Sequence, residues 1–297
     1  MPEPKITKYY RKTFHFLSHD IWNMDHRAFG GGKGRGVRYL KILLITLKGM
    51  STHKVGLQAA ALTFFSLIAI VPFMAVVYAI TRGFGFAGEL ETLIYSNFSG
   101  KEEVVQWVLT FADNLLNTGK SGFFGLIGFF TFCWSIIWLM ISVEQMFNHI
   151  WQVKNDHPFA RKVLVYAGVI LLTPLLIGGL FLIPYFTTLR PMAGWILHFL
   201  FITLLFFTAL KLIPNTKVKI LPAFDAALIT ALAFVVIQAL YVGTQVLVSR
   251  LNAVYGAFAA LPFFMIWLNI NWFLMLLGAE LSFAFQNIDR YGTKHSL

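Results

Sequence analysis

Apolar residues run almost unbroken through six stretches of this chain, roughly 57–81, 123–150, 163–188, 191–213, 221–249 and 257–286. At helical rise, each is long enough to cross the hydrocarbon core of a bilayer. Backbone polar groups in lipid must be satisfied within the segment, so such stretches are helices. The pattern predicts an all-α integral membrane protein with six transmembrane helices. Pro72 interrupts span one, Pro174 and Pro184 span three, and Pro262 span six, which predicts kinked spans.

Outside the spans the pattern changes. Ile6, Tyr10, Phe14, Leu17 and Ile21 recur at spacings of three and four, with Lys5, Lys8, Arg11, Lys12 and His15 on the remaining face. Residues 5–24 therefore read as a basic amphipathic helix. Such a face suits anionic headgroups at a membrane surface; docking on the protein's own loops is the alternative. Gly30–Gly36 reads as a flexible basic linker, and no Gly-Lys-Ser/Thr follows to make it a phosphate loop. Residues 37–49 are apolar and basic but too short to span, and predict an interfacial elbow before span one. The loop 82–122 is long enough to carry structure of its own. Val104, Val105, Val108, Phe111, Ala112 and Leu115 follow helical spacing there, predicting short amphipathic helices. The organisation is thus a basic arm and linker (1–36), a six-helix transmembrane domain (37–286) and a tail (287–297).

Composition supports the membrane reading: 58% of residues are hydrophobic and 12% charged, with 31 Phe and 8 Trp. The single cysteine, Cys133, excludes an intrachain disulfide and any multi-cysteine metal site. Charge gives the orientation. Of the 24 Lys and Arg, eleven precede span one, and Lys154, Arg161 and Lys162 follow span two. Lys211, Lys217 and Lys219 follow span four, and Arg290 and Lys294 lie in the tail. These nineteen share one side, against five on the other (Arg82, Lys101, Lys120, Arg190 and Arg250). The positive-inside rule then puts both termini in the cytoplasm and loop 82–122 outside.

Three carboxylates interrupt the spans: Glu144, Asp225 and Glu280. In this orientation all three lie toward the cytoplasmic end. Glu144 and Asn148, four apart, share a helix face. Asn269 and Glu280, eleven apart, share another. Gln238, Tyr241, Gln245 and Asn252 form a polar stripe on span five. One reading is a polar cavity, open to the cytoplasm, between spans two, five and six. The other is a set of helix cross-links and interfacial ion pairs. Ala223, Ala227 and Ala231, at four-residue spacing, mark a close-packing face on span five.

No His-Glu-x-x-His, Gly-x-Ser-x-Gly, Asp-Phe-Gly or Cys-x-x-Cys occurs. His15 and His19 are four apart without another clear metal ligand. The chain is read as a non-enzyme with no cofactor, no metal and no nucleic-acid partner; membrane lipids are the expected partners.

Several segments resemble the YihY/BrkB membrane proteins. Gln58-Ala59-Ala60-Ala61-Leu62-Thr63-Phe64-Phe65-Ser66 followed by Pro72 resembles their opening signature. Asn148 with Trp151 resembles their Asn-x-x-aromatic turn. The last third matches most specifically: Pro214-Asn215-Thr216-Lys217-Val218, Val254-Tyr255-Gly256-Ala257, Trp267, and Leu277-Gly278-Ala279-Glu280-Leu281. The resemblance covers about 57–286 and implies six spans in the bacterial inner membrane. Family members have carried a "ribonuclease BN" label, which sits badly with the missing catalytic constellation, and others a virulence label. The expected function is transport or flippase-like export of an amphipathic or anionic solute or lipid through a cytoplasm-facing polar cavity. A non-catalytic envelope scaffold is the alternative.

Overall fold

A computed structural model describes residues 21–24, 32–83, 123–153, 191–255 and 260–291, with single positions between 85 and 110. Side chains are described at Ile21, Trp22 and Met24 and over 32–70, 134–153, 194–243 and 262–291. The predicted third span, most of loop 82–122 and residues 1–20 lie outside the described residues.

Every described element is a helix: α1 (Ile21–Asn23), α2 (Gly32–Thr52), α3 (Val55–Gly83), α4 (Phe123–Ile150), α5 (Pro191–Leu212), α6 (Ile220–Tyr255) and α7 (Ala260–Tyr291). Spans one, two, four, five and six correspond to α3, α4, α5, α6 and α7. Within α5, α6 and α7, residues 194–212, 220–243 and 262–291 are each long and apolar enough to cross a membrane. The helix pair 32–52 and 55–70 qualifies together and is bent by 59° at its break. Pro262 falls in the first turn of α7, where an N–H would have no intrahelical acceptor, so it starts the helix rather than kinking it.

The Gly-rich stretch differs from expectation. It is helical from Gly32 onward, so Gly32–Gly36 is the first part of α2 rather than a flexible linker. Each Gly costs a helix about 1 kcal/mol relative to Ala. Tertiary packing offsets this: Gly34, Lys41, Ile42, Ile45 and Thr46 recur at helical spacing and are all buried. The elbow expected over 37–49 is correspondingly longer. The predicted arm helix ends in α1, whose Ile21 and Trp22 are buried in the same core as α2. Lys41 Nζ donates to the carbonyls of Met24 (2.7 Å) and Trp22 (3.4 Å), satisfying acceptors at the end of that short helix. At least the last turn of the arm therefore docks on the protein.

α7 is the centre of the bundle. It packs on α6, on α3 and on α2, while α5 packs on α6 and α4 on α3. The small-residue face of α6 is fully buried at Ala223, Ala227 and Ala231, as the four-residue spacing predicts. Gly278 brings α7 close to α6, since a Cβ there would lie 2.7 Å from Thr230 Oγ1 and 3.4 Å from Leu210 Cδ2.

Two helix ends close in the left-handed region without glycine: Lys54 (φ 50°) after α2 and Gln152 (φ 54°) after α4. At Gln152 the cap is a Schellman motif, with Val153 N donating to Asn148 O (2.9 Å) and Gln152 N to His149 O (3.1 Å). Lys54 N donates similarly to Ser51 O (3.2 Å). A side chain held at positive φ costs roughly 1–2 kcal/mol, which glycine avoids. Lys54 is exposed. Lys54→Gly is therefore expected to raise the thermal stability of the solubilised protein by up to about 1 kcal/mol, and Lys54→Val to lower it. A thermal melt in detergent compares the two.

Candidate functional site

The helix ends that close at Lys54 and Gln152 meet at one end of the bundle, here called the basal end, and α7 presents Glu280 to them. Glu280 is fully buried. Its Oε1 lies 2.5 Å from His53 Nδ1, at the break between α2 and α3. Its Oε2 has no hydrogen-bond partner among the described residues. The His53 ring meets His149 of α4 edge-on, with centroids 4.9 Å apart. Whichever tautomer His53 adopts, this contact is the one that meets the hydrogen-bonding need of the buried carboxyl among the described residues.

Backbone geometry makes the contact possible. The last turn of α2 crosses directly over the carboxylate at Gly49, where an added Cβ would sit 2.8 Å from Glu280 Cδ. With Gly278 two residues earlier on α7, the Leu277–Leu281 segment uses small residues to approach α6 and a carboxylate to meet α2. Around this centre the loops are tied down. Asn148 Oδ1 accepts from Asn215 N (2.8 Å). Gln286 accepts from Lys219 N (2.7 Å) and donates to Lys217 O (3.2 Å). Tyr291 hydrogen-bonds the Gln152 side chain. Trp151 stands edge-on to Phe283, with centroids 5.6 Å apart.

The polar positions singled out in the spans are distributed among several contacts. Glu144 and Asn148 are buried on α4. Asp225 is half-buried, beside the fully buried Ala226 and Ala227. Asn269 Nδ2 reaches Thr63 Oγ1 of α3 (3.4 Å), and three residues on Trp272 Nε1 donates to Ser66 Oγ (2.8 Å). Tyr241 stacks on Trp267, with centroids 4.5 Å apart and 21° between planes. Gln245 has its side chain outside the described residues. Gln238 turns toward α5, its Oε1 3.4 Å from His198 Nε2.

Gln238 and His198 lie on a groove of about 450 Å³ between α5 and α6, also lined by Gly194, Trp195, Val235, Ala239 and Val242. It is predominantly apolar with one polar rung. Sequence reasoning missed His53, His149, Gly49 and His198. His53 and His149 stand at helix ends and His198 lies within a span, and a histidine in or beside an apolar stretch is the one signal by which they could have been found. Gly49 carries no signal outside its tertiary contact. Among the described residues no cluster of three or more His, Cys, Asp or Glu is arranged to hold a metal.

Residues 46–296 match the family model described as Virulence factor BrkB. The chain is 28% identical over 281 residues to a UPF0761 membrane protein of Acinetobacter baylyi, covering 86% of this chain and 65% of that one. It is 30% identical over 260 residues to one of Actinobacillus pleuropneumoniae, covering 81% and 90%. It is 33% identical over 244 residues to one of Legionella pneumophila (strain Corby), covering 76% and 57%. The chain thus spans less than two thirds of the Acinetobacter and Legionella proteins. No solved structure matches.

The crossing at Gly49 gives a paired test. Gly49→Ala pushes a methyl into the Glu280 carboxylate, and overpacking of this kind costs about 1–3 kcal/mol. Gly56, on α3, has nothing within 4 Å of an added Cβ. Gly56→Ala should gain up to about 1 kcal/mol of helix propensity. Thermal melts of the two solubilised variants should move in opposite directions.

Proposed function

Because this chain belongs to the BrkB family of membrane proteins, we propose that it is a transporter or flippase-like exporter of an amphipathic or anionic solute or lipid. On this reading it is not an enzyme. It works in the bacterial inner membrane with both termini in the cytoplasm. The observation that carries the reading is the groove between α5 and α6. An apolar trough with one hydrogen-bonded polar rung, His198–Gln238, matches a molecule with an apolar body and a polar or anionic group. Gln238 is the member of the span-five stripe that lines it. His198 stands seven residues into α5, which the charge asymmetry puts toward the external side, so the groove serves the outer half of a translocation path. The basic arm, anchored at Ile21 and Trp22, holds the cytoplasmic end against anionic headgroups.

A second reading, the envelope scaffold, is favoured by the cross-links. Asn269, Trp272, Asn148 and Gln286 all join neighbouring elements. The two readings part at the groove. The double variant His198→Leu, Gln238→Leu removes one interhelical polar contact, a loss of about 0.6 kcal/mol by membrane-protein averages. Fluorescent-lipid translocation in proteoliposomes should fall at least about tenfold while the melting temperature hardly moves. Unchanged translocation, or none in the wild type, would leave the scaffold as the better account.

Orientation is tested separately. The 19-to-5 charge split predicts that reporter fusions after Lys120 read periplasmic and fusions after Lys154 cytoplasmic. The reverse pattern would overturn the placement of the basal end in the cytoplasm.

A further inference from the structure

We propose that Glu280 and His53 form a proton-binding site that locks α2 onto α7, and that loss of its proton releases α2. The ligand is a proton. The site is distinct from the α5–α6 groove, and its proton binding does not depend on the transport reading; only its role in energy coupling does.

Three observations converge on it. First, Glu280 is fully buried on a helix at the centre of the bundle, and only one of its oxygens is partnered among the described residues. A bare carboxylate in that position is strongly disfavoured, whereas a carboxylate and imidazole sharing one proton carry no net charge. Second, the partner is His53, which stands not within a helix but at the 59° break between α2 and α3, where a small backbone change redirects α2. Third, Gly49 puts the last turn of α2 against the carboxylate itself. The electrostatic state of Glu280 is thus felt directly by the helix that would move.

The surrounding groups leave this proton as the one in play. His149 of α4 meets the His53 ring, and Tyr291 of α7 hydrogen-bonds Gln152. Lys41 of α2 is buried with its ammonium on the Trp22 and Met24 carbonyls, and Glu144 is buried on α4. Toward this stretch of α7, α5 and α6 present Leu210 and Thr230, which do not titrate. When the proton leaves His53–Glu280 for solvent, the buried pair carries one net negative charge under Gly49, even with the remaining imidazole N–H turned to the carboxylate. The relief available is hydration, and it requires α2 to lift from α7. The arm follows α2, because Lys41 ties α1 to it.

The test follows α2 in the full-length protein. With Cys133 replaced by serine, Leu43→Cys on α2 and Leu221→Cys on α6 supply two exposed sites. Both are spin-labelled at one pH, and the distance distribution is then measured by pulsed electron paramagnetic resonance between about pH 5 and about pH 8, where histidine ordinarily titrates. The ratio of displaced to docked α2 should rise with pH, approaching about tenfold per unit for one linked proton. In E280Q and in E280L no carboxylate remains to be left charged beneath α2, and the ratio should be flat. Two substitutions are used so that misfolding of one leaves the other informative. A flat wild-type profile, a ratio that falls with pH, or an unchanged slope in whichever variant folds would each overturn the proposal. None of these readouts involves transport, so failure here and failure of the transport reading are separable.

Discussion

A carboxylate sealed inside a membrane bundle must be neutralised, and that requirement organises the basal end of this protein. Glu280 reaches neither lipid nor water. Removing the partner of such a group leaves an uncompensated buried charge, at a cost of about 3–5 kcal/mol. The position of His53 is therefore fixed by Glu280 as much as by the turn that carries it. From it follow the break between α2 and α3, the glycine in the last turn of α2, and the left-handed cap at Lys54. The matching cap at Gln152 brings His149 behind His53 and hands a side-chain amide to Tyr291. A basal end built this way has few independent parts.

The remaining intramembrane polar groups follow the same rule at lower stakes. Without water as a competitor, a polar side chain in a span must find a partner on a neighbouring helix. Asn269 and Trp272 find Thr63 and Ser66 on α3, and Tyr241 lays its ring on Trp267. These contacts hold helices together. His198 and Gln238 differ because their pair lies on an open groove rather than in a closed helix contact. The distinction between polar residues used up in packing and polar residues left beside empty space is what directs the functional reading to α5 and α6.

Several of the segments that resemble the family signature are spatial neighbours. Asn148 is bonded to Asn215 in the Pro214–Val218 segment, and Gln286 clamps the far end of that segment, six residues after Glu280. The Gln58–Ser66 stretch supplies Thr63 and Ser66 to α7. These segments, far apart in the chain, meet around α7, and their chemistry fits that place: small residues for close approach, amides for loop docking, one acid.

The chain itself determined the helical spans. An unbroken apolar stretch of more than 20 residues has one solution in lipid, and five of the six stretches stand within a few residues of described helices. Alanine spacing on α6 was equally legible, because it depends on residues within one segment. Two things were decided only by tertiary structure. The Gly32–Gly36 segment is helical because packing against the core supplies what its propensity lacks. The partner of Glu280 is a histidine 227 residues away, in a turn that no local pattern distinguishes. Periodicity places a side chain on a face of its own helix. Which neighbour that face meets, and whether the contact closes or leaves a groove, depends on crossings between helices that distant residues set.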